Sequence, residues 1–276
     1  MKSLIYKVSL GFLLFEGLFM KKINGFIALT LSSFAQESHY ELGIGAGVVT
    51  YPSYVGSKSN NRIISPIPYL RYEGEKMSLA KGGLKYNFFN NDKITIDLSL
   101  GASLPVESDN VPLRNGMEDL DFTLELGPRL NYEIHKDQEH EVTFKLPVRM
   151  VVATDIQNFG NQGFFIAPNL NYVFEKDDFR VKLKTGPLWA DSKYHNYFYG
   201  VGKQDITLAR NAYDAKGGYN GYRNTLSLKY RKGAWNYGAF VSHININGAT
   251  FEDSPLIETK NALYLGTFIS YVFYEG

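Results

Sequence analysis

Along residues 93–104, KITIDLSLGASL, every even position is apolar and no odd position is. The same period of two holds over 121–134. There Phe122, Leu124, Leu126, Leu130, Tyr132 and Ile134 alternate with Thr123, Glu125, Arg129, Asn131 and Glu133. It continues over 142–152, 163–174 and 179–189, and more loosely over 222–231 and 262–273. Successive side chains of a strand point to opposite faces, so each run predicts a β-strand with one apolar and one polar face. The runs are 10–14 residues long. A tilted strand crosses a bilayer in about 9–11 residues, whereas strands of soluble sheets are nearer 5–6. Length therefore favours an all-β, antiparallel transmembrane β-barrel over a soluble sandwich.

The connections alternate in length. Short links fall at 90–92, 135–140, 175–178 and 231–234, and long ones at 50–65, 105–120, 153–162, 190–220 and 246–260. Outer-membrane barrels combine short periplasmic turns with longer outer loops. Tyr132, Tyr172, Phe174, Phe179, Tyr230 and Trp235 gather beside the short links, as an interfacial girdle would. Eight strands follow residue 93. Residues 40–49 and 66–73 add two, and 76–89 adds one, or two if it breaks at Lys81-Gly82-Gly83. An even count needs the break, so twelve strands are expected, with ten as the fallback.

Composition agrees with this reading. The 276 residues include 20 Tyr, 19 Phe, 26 Gly and no Cys. Without cysteine there is no disulfide, thiolate metal site or cysteine nucleophile. A net charge of +1 carries no nucleic-acid footprint. From Met20 the chain reads MKKINGFIALTLSSFAQ: a basic start, an apolar stretch, and Ser33-Phe34-Ala35 as a small-x-small cleavage pattern. Residues 1–35 are expected to be a signal peptide cleaved after Ala35, leaving a barrel over 36–276. Either the leader is long or the true start is Met20; the second is favoured, because Met20 alone begins a complete signal. An uncleaved helical anchor is the weaker rival, since Glu16, Lys21 and Lys22 interrupt the apolar stretch. The leader holds four of the 29 basic and one of the 28 acidic residues, so the mature chain carries −2.

Candidate chemistry is sparse. His39, His135, His140, His195 and His243 have no partners at metal-ligand spacing, and no H-E-x-x-H occurs. No cofactor, metal or catalytic residue is expected. Ser242 and His243 are adjacent on a strand and so point to opposite faces. The G-I-G-A-G at 43–47 lies inside a strand with no helix after it, which excludes a phosphate-binding turn. One face of the strands carries Arg129, Lys145, Arg149, Arg180, Lys182 and Lys184 beside Asp97, Glu125 and Glu133. In a barrel this face lines the lumen, either as a basic strip favouring anions or as a set of ion pairs. Pairing across the 135–140 turn places Glu125 diagonal to Arg149. The stretch KYHNYFYGV (193–201) neither alternates nor has helical spacing, and reads as the start of the longest loop. A loop this aromatic is expected to fold over the barrel mouth against Tyr51-Pro52-Ser53-Tyr54. Tyr51, Tyr54, Tyr194, His195, Tyr197, Phe198 and Tyr199 would then form a lid.

Several ordered stretches resemble the MipA/OmpV family of outer-membrane proteins (MltA-interacting protein and relatives). They are GIGAGVVTYPSYVGS (43–57), PIPYLRYEG (66–74), NGMEDLDFTLELGPRL (115–130), YHNYFYGV (194–201), AYDAKGGYNGY (212–222) and DSPL (253–256). The resemblance implies an outer-membrane barrel of a Gram-negative cell, in contact with outer-membrane lipid and without family catalytic residues. One member is regarded as a scaffold joining a lytic transglycosylase to a peptidoglycan synthase. Such barrels usually finish on an aromatic residue; here Tyr271-Val272-Phe273-Tyr274 is followed by Glu275-Gly276. Three functions remain open at this point: a non-enzymatic scaffold for cell-wall machinery, a permeability pathway through a basic lumen, and surface adhesion through the outer loops.

Overall fold

The computed structural model describes residues 39–74, 77–80, 83–155 and 157–276. The expected signal peptide lies outside them. Thirteen strands are formed: β1 (His39–Pro52), β2 (Asn60–Glu73), β3 (Met77–Ala80), β4 (Gly83–Asn90), β5 (Ile94–Ser103), β6 (Phe122–Lys136), β7 (His140–Thr154), β8 (Phe159–Ile166), β9 (Asn169–Lys176), β10 (Phe179–Ala190), β11 (Gly218–Lys232), β12 (Trp235–Asn245) and β13 (Asn261–Glu275). Neighbours in sequence pair antiparallel, and β13 returns to pair with β1 from Glu41↔Glu275 to Thr50↔Leu265. The ladder is therefore a closed ring, which removes the exposed strand edges that a bilayer does not tolerate.

The ring has twelve positions. β8 and β9 share one, because both pair with β7 on one side and β10 on the other. The run 163–174, expected as a single strand, is thus interrupted between Ile166 and Asn169. Pro168 has no N–H to give the ladder, and prolines sit in sheets only at such irregularities. On the other flank a Cβ on Gly186 would overlap the Pro168 carbonyl oxygen, so only glycine fits beside the break. The strands that end at Ala80 and restart at Gly83 match the split reading of 76–89; residues 81–82 themselves lie outside the described set.

Two of the long links lose more than half of their expected length. The 50–65 link shrinks to 53–59, and 153–162 to 155–158, because the ladder runs on through Pro52↔Asn60 and Thr154↔Phe159. Strand ends that project beyond the bilayer are free of the apolar-out rule, so their polar residues had concealed them. At the opposite end, β9–β10 and β11–β12 are joined by two residues each. Asp177 and Gly233 there take φ of 50° and 56°, as tight hairpin turns require.

Burial is inverted relative to a soluble protein. Ile64 is 78 % exposed and Ile44 61 %, whereas Glu41 is 1 % and Asp97 2 %. Apolar side chains outside and charged ones inside are stable only if the outer face meets hydrocarbon. Trp235 packs on Tyr271 at 5.0 Å and Tyr230 on Tyr237 at 6.2 Å. Both aromatic pairs lie on the outer face beside the 233–234 turn.

Candidate functional site in the lumen and its mouth

The inward face is governed by charge pairing. Arg129 holds Asp97 bidentately, with Nε to Oδ1 at 2.8 Å and Nη2 to Oδ2 at 2.6 Å. The register makes these two residues direct cross-strand partners. Arg149 donates to Glu125 at 2.7 Å and to Ser99 Oγ at 2.8 Å. Glu125 is paired in register with Val151, so the contact with Arg149 is diagonal. Arg180 donates to Glu175 at 2.5 Å across the β9–β10 hairpin. Lys145, Lys182, Lys184 and Glu133 line the same face. Parallel Arg–carboxylate contacts of this kind combine charge with fixed geometry.

A second network at the short-turn end has no sequence signature. Glu41 accepts from Arg71 at 2.7 Å, Arg231 at 2.9 Å and the Tyr69 hydroxyl at 2.9 Å. Arg71 also donates to Glu73 at 2.8 Å, and Arg231 to Glu275. The knot ties β11 to β1 and β2 across β12 and β13, beside the pair that closes the ring. Arg231 stands where the 222–231 run meets the 231–234 link and was not among the lumen charges singled out from the sequence. Only the register, not the local pattern, brings it to Glu41.

The long-loop end is packed. Tyr54, Val111, Leu120, Phe198, Tyr199, Phe251 and Leu256 from four loops join the strand residues Val151, Phe165, Leu188 and Ile244 in one apolar cluster. KYHNYFYGV is not an irregular loop there. Residues Ser192–Tyr199 form an α-helix, α1. Asp191 caps it by accepting from Tyr194 N at 2.9 Å, which satisfies one of the unpaired donors of a first turn. The Asp191 carboxylate occupies the space where a Cβ on Gly163 would lie, and Gly163 has φ of 92°. Its buried residues His195, Phe198 and Tyr199 fall at i, i+3 and i+4 on one face while Ser192 and Lys193 are exposed, but eight residues are too few for that spacing to stand out in so aromatic a stretch.

Of the seven aromatic-mouth candidates, six meet in this cluster or at its edge. The Tyr199 ring stacks on Phe251 at 3.8 Å and meets Tyr54 edge-on at 6.4 Å. Tyr54 donates to the Leu256 carbonyl at 2.6 Å. Tyr194 packs against Phe165 at 5.5 Å and Phe198 at 4.9 Å, and the Tyr197 hydroxyl accepts from Asp121 N at 2.7 Å. Tyr51 instead stays half-buried on β1, and among the described residues it makes no ring contact with α1. Arg114 was missed. It is buried in the 104–121 loop and donates to Ser108 Oγ and to the Phe198 and Glu118 carbonyls, each at 3.1 Å. A lone basic residue between loop glycines and prolines gives no hint of such burial. Outside the packed loops lies a cleft of about 680 Å³, lined in part by Glu118, Asp119, Tyr197, Asp205 and Asp214.

His195 is fully buried and is held by the backbone. Its Nδ1 donates to the Lys216 carbonyl at 2.6 Å, with Thr250 Oγ1 at 3.3 Å, while Nε2 has no partner among the described residues. Burial pushes the imidazole below its usual value, partly opposed by the Lys216 carbonyl, the Asn220 side chain and Asp191. The detached helix would bind the proton more readily than the packed one. Packing is therefore unimpaired above the ordinary histidine value of about 6.5 and weakens as pH falls below it. The protection of α1 amides against hydrogen exchange, corrected for the intrinsic rate at each pH, is expected to fall between pH 7 and pH 5 in the wild type but not in His195→Gln. An equal fall in both would exclude the imidazole as its origin.

Comparison with known proteins places this architecture. The family model described as MltA-interacting protein MipA matches residues 44–273. The chain belongs to this family. Two MipA-family relatives are outer-membrane protein Omp26La of Vibrio anguillarum and outer-membrane protein OmpV of Vibrio cholerae. The first is 25 % identical over 222 residues, covering 78 % of this chain and 81 % of the relative. The second is 24 % identical over 208 residues, covering 73 % and 76 %. With a closed ring of strands and an apolar exterior, this MipA-family chain is an outer-membrane protein. Among solved structures, the outer-membrane channel DcaP of Acinetobacter baumannii overlaps 86 % of this chain and 97 % of its own, at 8 % identity and a TM-score of 0.38. The Pseudomonas putida toluene transporter TodX overlaps 87 % and 90 %, at 9 % identity and 0.36. Overlap this loose carries no argument about what passes through the MipA-family barrel.

Proposed function

We propose that the protein is a non-enzymatic structural barrel whose short-turn end docks a peptidoglycan-processing partner. The observation that carries this reading is the packed outer mouth, where loops from four connections and inward strand residues share one cluster. A barrel sealed at one end is a poor open pore and a rigid platform. The family name points to a lytic transglycosylase as the partner class. The turns His135 to His140 and Glu175 to Asp178 offer a contact surface rich in exposed charge, with Lys176 bridging to Glu139 at 2.9 Å. Capture of purified lytic transglycosylase by the full chain in detergent is the test. Enrichment no greater than with an unrelated outer-membrane barrel removes the docking role.

A permeability role is the second reading, favoured by the inward basic side chains. In planar bilayers the sealed barrel is expected to show no steady open level. Anion-selective conductance that falls in the Arg149→Ala, Lys184→Ala double variant would instead establish the lumen as a pathway.

A further inference from the structure

Five of the six inward arginines, Arg71, Arg129, Arg149, Arg180 and Arg231, hold a carboxylate. Arg223 on β11 is the exception among the described residues, and its Nε is buried without a hydrogen-bond partner. It faces the lumen diagonally from Lys184 on β10, because the register sets Lys184 against Thr225 and Gly186 against Arg223. Lys184 likewise makes no ion pair with a described residue. The charges acting most strongly on it are Arg223, Arg149, Lys182 and Arg129, all cationic. Of these, Arg149 and Arg129 are already committed to Glu125 and Asp97. Two unpaired like charges at a diagonal position repel, and the repulsion grows in a barrel interior where water is sparse.

Two hydroxyls complete the surroundings. Tyr194 of α1 lies within electrostatic reach of Glu125, Arg223 and Arg149, and Tyr264 of β13 within reach of Arg223. The first descends from the packed mouth and the second comes from the barrel wall. Together the four side chains present ammonium, guanidinium and phenol donors, and the carboxylate that acts on Tyr194, Glu125, is already held by Arg149.

We propose that Lys184, Arg223, Tyr194 and Tyr264 bind a doubly charged oxyanion of the phosphate class inside the barrel. Two cations match two negative charges, and the guanidinium fork matches adjacent phosphate oxygens. The packed mouth directs entry to the short-turn end. A cavity of about 200 Å³ lies there, lined by the bases Arg71, Arg180, Lys229 and Arg231 and also by the acids Glu175, Asp177 and Asp178. The site goes beyond either functional reading, since a structural barrel and a pathway would both hold such an ion. A bound anion that touches Tyr194 also ties α1 to the barrel wall, so occupancy and closure of the mouth reinforce each other.

The test uses the full chain in detergent. Equilibrium dialysis against millimolar inorganic phosphate is expected to show one saturable site that chloride at matched ionic strength does not displace. The same phosphate is expected to raise the midpoint of thermal unfolding, and the Lys184→Gln, Arg223→Gln double variant to lose that rise. Without phosphate the double variant is expected to be no less stable than wild type, because a repulsion has been removed. A parallel arm with glycerol phosphate separates the free ion from a phosphomonoester: tighter binding of the ester marks a larger solute, and equal or weaker binding marks the ion. Absence of saturable binding of both probes to the wild type overturns the proposal, as does an undiminished thermal shift in the double variant. The dialysis result does not depend on the variant folding.

Discussion

Replacing Glu41 by alanine is expected to lower the unfolding free energy by about 3–5 kcal/mol, the usual cost of removing one partner from a buried charge network. Glu41 is 1 % exposed and answers three donors at once. Without it, two guanidinium groups face each other across the short-turn end of the lumen. Arg71 retains Glu73 and Arg231 retains Glu275, so the loss should fall in the lower half of that range. Glu41→Gln keeps an acceptor for Tyr69 but loses the charge, and should cost less than the alanine. Urea unfolding from lipid vesicles, followed by the fluorescence of Trp189 and Trp235, measures both. The position matters because Glu41 stands beside the β1–β13 seam, which joins the first strand to the last. Slower folding in Glu41→Ala is expected to accompany the equilibrium loss. A change below about 1 kcal/mol, typical of exposed ion pairs, would mean that the knot is solvated.

The strands were legible because lipid and lumen impose opposite chemistries on alternate positions. Thr123 and Glu125 are buried while Leu124 and Leu126 are exposed, as period two requires. The twelve-position ring followed from parity, which is a topological constraint and not a local one. Where strands leave the bilayer the constraint lapses, and Asn60 to Arg62 on β2 read as loop for that reason. Pro168 shows the complementary failure, since alternation continues across it while the hydrogen-bond ladder does not. Inward charges were visible, but their pairing was only partly so. Asp97 and Arg129 meet because they are direct partners in register, whereas Glu41 and Arg231 are 190 residues apart and share no pattern.

The mouth was less legible, because its stability comes from contacts between loops. Aromatic density in KYHNYFYGV indicated packing, yet neither the helix nor its cap could be read from spacing. Asp191 and Gly163 act together, one as cap just past the end of β10 and the other on β8 as the space that admits it. Phe251, stacked on Tyr199, sits in a turn-rich segment where a single aromatic residue has no periodic company.

Arg114→Ala is the prediction that tests the mouth itself. The guanidinium joins the 104–121 loop to the last turn of α1 and lies 5.9 Å over the Tyr54 ring. Its removal leaves the buried Phe198 carbonyl without this donor, at about 1–3 kcal/mol for such a group, while the Glu118 carbonyl keeps Ser108 Oγ at 2.6 Å. The expected loss is about 2 kcal/mol, confined to the loops, because the hydrogen bonds of Arg114 to described residues all go to its own loop or to α1. Heat-modifiable migration and strand content should therefore remain unchanged. Trypsin added to intact vesicles is expected to cut at Lys193 or Lys203 in the variant and to spare the wild type. In planar bilayers the variant is expected to flicker open where the wild type stays silent. Arg114→Lys separates charge from geometry: one ammonium cannot satisfy three acceptors set around a planar fork, so lysine should restore only part of the protection. Full protection in Arg114→Ala would show that the apolar cluster of Tyr54, Phe198, Tyr199 and Phe251 seals the barrel without this tie. The closed state would then rest on the aromatic residues alone.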